Sequence, residues 1–265
     1  MTPRDNWKHF HFSTANGIAS IVFARPESLN SLTFDVYADL RDLLAEIPQR
    51  DDVRVLTITG EGKGFCSGGD VREIIGALQE MSPKDLLEFT RMTGAVVQRM
   101  RELSIPIVAA VNGVAAGAGA VIALAADVRL LAPKASFHFL FSQVGLAGAD
   151  MGAAYLLPRV VGLGRATELL LLGEKVEADE AERIGLGRRV ADLGKELEAV
   201  SRRLSAGPAW ALGATKSLLS RELDMSLASA IELEAWTQAL LMRSDDHREF
   251  YQAFTEKRAP DWRGT

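Results

Sequence analysis

The sequence predicts an α/β fold on three observations. β-branched, apolar segments at 53–59, 107–111 and 127–131 read as strands. Glycine-rich loops and helical patterns alternate with them. Beyond residue 201 only helical patterns remain. Strands and helices in that order predict helices packed over the faces of a sheet.

In chain order, residues 9–13 and 18–24 read as two strands around Asn16-Gly17, a strong hairpin signal. Arg25-Pro26 ends the second strand, because proline cannot donate to a ladder. Phe34, Leu40, Leu43, Leu44 and Ile47 recur at helical spacing, with Thr33 placed to cap them. A strand at 53–59 leads into a glycine-rich loop at 60–69. Ser82 and Pro83 open a long helix that runs to Leu103. Asn112-Gly113 breaks the strand at 107–111, and residues 117–126 form a helix of small residues. A strand follows at 127–131. Helices are expected at 208–221, 227–242 and 245–256, and residues 258–264 read as a tail. The change of composition divides the chain into a core at 1–200 and a helical region at 201–265.

Bulk properties exclude several classes. The chain has 265 residues, enough for a substantial core, and its net charge of −5 offers no footprint for nucleic acid. Cys66 is the one cysteine, so no internal disulfide forms, and a cytoplasmic setting is expected. Met1 to Trp7 is polar, without a signal-peptide apolar run. The apolar stretch at 114–126 is too short to span a bilayer, so no membrane partner is expected.

Each glycine loop follows a strand and precedes a helix. Unpaired N–H groups at a helix start hold anions, whether a phosphate or a developing oxyanion. No G-x-x-x-x-G-K-[ST] occurs, and Gly62-Lys-Gly-Phe-Cys-Ser67 fails G-x-G-x-x-G at its last position. ATP and NAD are therefore not expected.

Gly64-Phe-Cys-Ser-Gly-Gly-Asp70 and the segment Ile105 to Gly119 resemble the two signature segments of the crotonase (enoyl-CoA hydratase/isomerase) superfamily. Ala125-Ala-Asp-Val-Arg129, Leu157-Pro-Arg159, residues 185–190 and the closing stretch Phe254 to Pro260 extend the resemblance over nearly the whole chain. It implies a spiral of ββα units, a C-terminal helical part used in trimerisation, and an acyl-CoA thioester as substrate. The implied oxyanion donors are the N–H groups of Gly69 and Ala118. The stretch Arg25 to Asn30 resembles the surroundings of the coenzyme A nucleotide, and Lys63 and Phe65 fall at the pantetheine tunnel and its rim. Ser67 and Asp70 complete the implied binding loop. Coenzyme A is part of the substrate, so no cofactor is expected. A homotrimer or dimer of trimers is expected, because Leu218, Leu219, Ile231, Leu233, Trp236 and Leu240 would leave a large apolar patch on a monomer.

The family's hydratases activate water with two glutamates; the matching positions here are Val121 and Phe141. Neither side chain transfers a proton. Gly145-Leu-Ala-Gly-Ala-Asp150-Met-Gly152 resembles the segment of members that use an aspartate instead, most of all the 1,2-epoxyphenylacetyl-CoA isomerase type. Gln98 stands where the aromatic dehalogenase has a histidine, and Ala149 replaces the usual proline. The resemblance thus implies an acyl-CoA isomerase with Asp150 as proton carrier. A hydratase, hydrolase or lyase on the same scaffold, or a non-catalytic subunit, are the alternatives.

Other residues admit plainer readings. Asp150 also suits the N-cap of a helix at 151–161. Cys66 sits in a G-x-nucleophile-x-G pattern, yet no histidine has a spacing that compels pairing. His138 lies on an alternating segment that faces either the acyl pocket or the core, and Tyr155, a turn after Met151, lines the site or packs. His9 and His11 lack a third ligand, so no metal is expected. Asp70 reads as a helix-start acid.

Overall fold

The computed structural model describes residues 6–264. The chain opens with the hairpin β1 (Phe10–Ala15) and β2 (Ile18–Phe23). Its turn places Asn16 at φ 52° and Gly17 at φ 78°, the pair of left-handed residues that a two-residue hairpin needs. Helix α1 (Phe34–Glu46) follows, with the Thr33 side chain accepting the Val36 N–H. Strands β3 (Val55–Gly60) and β4 (Gly64–Cys66) precede a π-helical turn at Val71–Ile75, the short α2 (Gly76–Glu80) and the long α3 (Pro83–Glu102). Ser82 caps α3 by accepting the Asp85 N–H. Next come β5 (Ile107–Val111), β6 (Val114–Ala116), α4 (Ala118–Ala125), β7 (Val128–Leu131) and β8 (Ser136–His138). The rest is α5 (Ala153–Val161), α6 (Leu163–Leu172), β9 (Lys175–Glu177), α7 (Ala178–Arg183), β10 (Arg188–Arg189), α8 (Leu193–Ser205), α9 (Ala209–Glu222), α10 (Leu227–Leu241) and α11 (Asp245–Glu256).

The strands form a six-stranded sheet, order β1-β2-β3-β5-β7-β10, and a four-stranded sheet, order β4-β6-β8-β9. From β2 onward the larger sheet is parallel. All five residues of β5 are buried, as expected of a parallel strand covered on both faces. On one face α8 lays Leu193, Leu197, Val200 and Leu204 against Val55, Val108 and Leu130. The main core fills the other side, where α1 packs on α3 and α4 is buried on every residue.

Three expectations change. The stretch 60–69 is not all loop: it contains β4, whose three residues gave no periodicity to read. Residue 200 lies inside α8, so the change of composition there falls at no break in secondary structure. Residues 258–264 are tied down: Arg258 pairs with Glu249, and buried Asp246 accepts the N–H groups of Arg263 and Gly264. No described helix is long and apolar enough to cross a membrane.

The two sheets meet through bare backbone. A Cβ on Gly119 would stand 2.1 Å from the Cys66 carbonyl oxygen, and one on Gly113 would stand 1.9 Å from that of Lys63. Gly94 on α3 faces open space. Gly119→Ala is expected to destabilise by about 3 kcal/mol or more, against the helix-propensity gain, because rigid backbone must shift. Gly94→Ala is expected to stabilise by about 0.5–1 kcal/mol. Thermal melts of both variants read the opposite signs.

Candidate active site

The glycine loop after β4 and the start of α4 lie side by side. Gly68 adopts φ 92°, and a Cβ there would come 2.9 Å from the Ala116 oxygen and 3.4 Å from the Ala118 nitrogen. Gly69 forms a parallel bridge with Leu32: the Leu32 N–H donates to the Gly68 carbonyl and the Asp70 N–H to the Leu32 carbonyl, both at 2.8 Å. Since those bonds use the neighbours of Gly69, its own N–H points to the opposite side of the strand. Ala118 is the first residue of α4, so its N–H has no helical carbonyl to reach. Gly117, at φ 50° and ψ −123°, turns the chain from β6 into α4, and its N–H is held by the His138 carbonyl at 2.8 Å. Among the described residues neither N–H donates to a backbone carbonyl, so the pair can receive an oxygen at the positive end of a helix.

Asp150 follows a 3-10 turn at Leu140–Val144 and precedes α5. Its carboxylate accepts the Met151 N–H at 2.9 Å, and its carbonyl accepts the Ala153 N–H at 2.8 Å. Met151 and Gly152 are both left-handed, at φ 49° and 87°. This corrects the N-cap reading: Gly152 occupies the cap, and no side chain caps α5. The two left-handed residues carry the Asp150 side chain off the helix axis. Burial pushes its pKa up, and the Met151 N–H opposes that only in part.

Tyr37, on the buried face of α1, escaped the sequence analysis. Burial holds its hydroxyl pKa well above the phenol range, and the Cys66 and Asp150 charges add to this. The signal was present as a tyrosine one turn before Leu40 and two before Leu44, the core face of a helix. Asp150 directly precedes the α5 segment, and α5 packs on α4, the helix that Ala118 opens. Cys66 is fully buried and its thiol is pushed up to about 12, which removes the nucleophile reading.

Other expected residues divide. Phe141 is buried with its ring edge 4.0 Å from the position of a Cβ on Gly117, so it walls the N–H pair. Val121 is wholly buried within α4. Phe65 corrects the rim assignment: β4 turns it inward, where it meets Phe23 edge-on at 5.9 Å. Lys63 is exposed. Ser67 Oγ donates to the Ser28 carbonyl at 3.0 Å and ties the glycine loop to the β2–α1 connection. Arg25 donates to the Ser31 carbonyl, to Asp70 and to Glu73, so its guanidinium braces that connection. Asp70 caps the π-helical turn, and the Ser31 hydroxyl does most to hold its carboxyl below the usual range. His138 acts here through its backbone. Tyr155 is 41% exposed; its hydroxyl donates to Asp224 and its ring stacks on Arg159. His9 is held by Asp39 at 2.7 Å.

A cavity of about 790 Å³ is lined among others by Met151 and Gly152, which follow Asp150 in the chain, by Tyr155 of α5, Val97 and Gln98 of α3, and Ser217 of α9. Its size suits a small organic ligand.

Residues 13–265 match the model of the enoyl-CoA hydratase/isomerase family. The chain belongs to that family, the enzymes of the crotonase superfamily. It is 36% identical over 251 residues to the 1,2-epoxyphenylacetyl-CoA isomerase of Escherichia coli strain K12, covering 94% of this chain and 95% of that one. A "Probable enoyl-CoA hydratase" of Rhodobacter capsulatus is 37% identical over 256 residues, 96% of this chain and 97% of the relative. The crystal structure of a "putative enoyl-CoA hydratase" from Streptomyces coelicolor A3(2) superposes with TM-score 0.98 at 56% identity, covering 100% of this chain and 98% of the other.

The raised pKa of Asp150 has a thermodynamic consequence. Below the unfolded value near ~3.9 the acid is neutral in both states and burial costs no charge. As pH rises through the folded value, the folded state alone resists ionisation and loses stability. Asp150→Asn removes that loss, so the melting temperature of the variant minus that of wild type is expected to be larger at pH 7 than at pH 3.5. Paired melts across that range measure it.

Proposed function

We propose that the chain is an acyl-CoA isomerase in which Asp150 carries one proton between two carbons of an unsaturated or ring-derived acyl group. The Asp150 carboxylate takes the proton as the substrate becomes a thioester enolate, and returns it at a second carbon. The N–H groups of Gly69 and Ala118 receive the thioester oxygen as its charge grows, an effect of roughly 3 kcal/mol for each donor. The features that support this reading are a part-buried carboxylate of raised pKa just before α5, which packs on α4, and the N–H groups of the glycine loop and of the first residue of α4. A pKa raised toward neutrality suits a group that must both accept and release a proton.

Val121 and Phe141 supply no second acid, and apolar walls favour proton return to carbon over water addition. The transfer is redox-neutral and needs no cofactor beyond the coenzyme A of the substrate. Relatives named as hydratases make water addition the second reading.

The C-terminal region is proposed to serve assembly into a trimer or a pair of trimers. Helix α10 has no buried residue and exposes Leu227, Trp236 and Leu240 at 77%, 66% and 73%. Such a face calls for a second copy. Sedimentation at micromolar concentration is expected to show an oligomer; a stable monomer would contradict the assignment.

Asp150→Asn is expected to lower proton exchange at the acyl α or γ carbon in D₂O by about 10²- to 10⁴-fold with acyl-CoA affinity nearly unchanged. A folded variant exchanging at the wild-type rate removes Asp150 from the mechanism.

A further inference from the structure

The cavity lined by Met151 and Gly152 carries more positive charge than a hydrocarbon chain requires. It lies between α3, α5 and α9, and Arg91, Arg101 and Arg221 line it against a single carboxylate, Glu102. Glu102 already accepts the Gln98 amide at 2.7 Å. Arg101 is bound by Asp127 at 3.0 Å and by Ser220 at 2.7 Å, while buried Lys216 takes the other oxygen of Asp127 at 2.9 Å. One carboxylate thus answers two cations behind the cavity wall. Asp224, at the rim, is engaged by Tyr155 and Arg159. Among the described residues no carboxylate pairs with Arg91 or Arg221.

Unpaired guanidinium groups around one concavity form a site for a planar anion, since the arginine fork matches a carboxylate at two points. Concave, partly apolar walls focus that field. We infer that the substrate's acyl group ends in a carboxylate received by Arg91 and Arg221, the cavity taking the end of the acyl chain remote from the thioester. This rests on the proposed placement of the thioester oxygen at Gly69 and Ala118. Met151 and Gly152 of the cavity wall follow Asp150 directly in the chain, and neither Arg25 nor Lys63 lines the cavity. The phosphates of coenzyme A are the other anions at hand, and the experiment separates them.

The test compares two coenzyme A thioesters of equal chain length, one ending in a methyl group and one in a carboxylate, by calorimetric titration. Both carry the same phosphates. Wild type is expected to favour the carboxylate by about tenfold or more. Arg91→Gln/Arg221→Gln is expected to reduce that preference to less than about threefold while keeping its affinity for the methyl-terminated thioester, which also certifies the fold. Equal affinities in wild type, or a preference that survives the double substitution, overturn the inference. Equal weakening of both ligands assigns the arginines to phosphates and overturns it too. A variant that loses its assembly state assigns them to a subunit contact, with the same result. Proton exchange on the two thioesters is read separately: its absence beside an intact carboxylate preference sinks the isomerase reading and leaves this one standing.

Discussion

Backbone meets backbone where β4 and its glycine loop lie against the β5–β6 turn and the start of α4, and the site depends on that approach. Gly113 admits the Lys63 carbonyl, Gly119 admits that of Cys66, and Gly68 sits against Ala116 to Ala118. Any side chain at these positions would hold the segments apart by at least a methyl group. Closed to this distance, a strand loop and a helix start from separate parts of the chain present neighbouring N–H groups. The sheets fix both groups, so in the proposed reaction little would have to rearrange as charge develops between them.

Around that junction the remaining groups are placed by burial. Asp150 leaves the chain at two consecutive left-handed residues, which turn it away from α5 and into partial burial. A non-glycine residue in that conformation, Met151, stores strain that the packed surroundings must offset. Met151 is itself buried, and its N–H is the one described backbone donor to the Asp150 carboxylate. Phe141 and Tyr37 bring aromatic surface to the same region, so the acid faces a medium that favours its neutral form.

The cavity owes its far wall to contacts distant in sequence. Tyr155 and Arg159 on α5 hold Asp224 beyond α9, with Arg159 stacked 3.6 Å over the Tyr155 ring. Lys216 on α9 crosses to the Ile105 carbonyl and Asp127. The closing residues are tied back through Asp246, and Arg54 near β3 donates to the carbonyls of Ser205 and Arg263. Of the C-terminal helices α9 therefore bounds the cavity, while α10 and α11 leave apolar side chains such as Trp236, Leu240 and Phe254 exposed.

Strong local signals made much of this legible in the sequence. Asn16-Gly17, the caps Thr33 and Ser82, and the strands β1, β2, β3, β5 and β7 of the larger sheet are set by turn chemistry, hydroxyl capping and runs of β-branched residues, all read within a few positions. The resemblance to the crotonase superfamily pointed to the pair Gly69 and Ala118, and its two glutamate positions, Val121 and Phe141 here, drew attention to Asp150. The smaller sheet stayed hidden because β4, β6, β8 and β9 have three residues each, too few for a period. Phe65 looked like a rim residue until β4 turned it toward Phe23, and Tyr155, read as lining the site or packing, proves to donate its hydroxyl to Asp224. By itself the sequence determined many of the longer elements, the family resemblance and the residue types available for proton transfer, since propensity, capping and motif spacing are local. Tertiary structure alone decided which of those residues meet, how far Asp150 is buried and which arginines share a cavity. Burial and charge are properties of neighbours in space, and those neighbours come from segments more than a hundred residues apart.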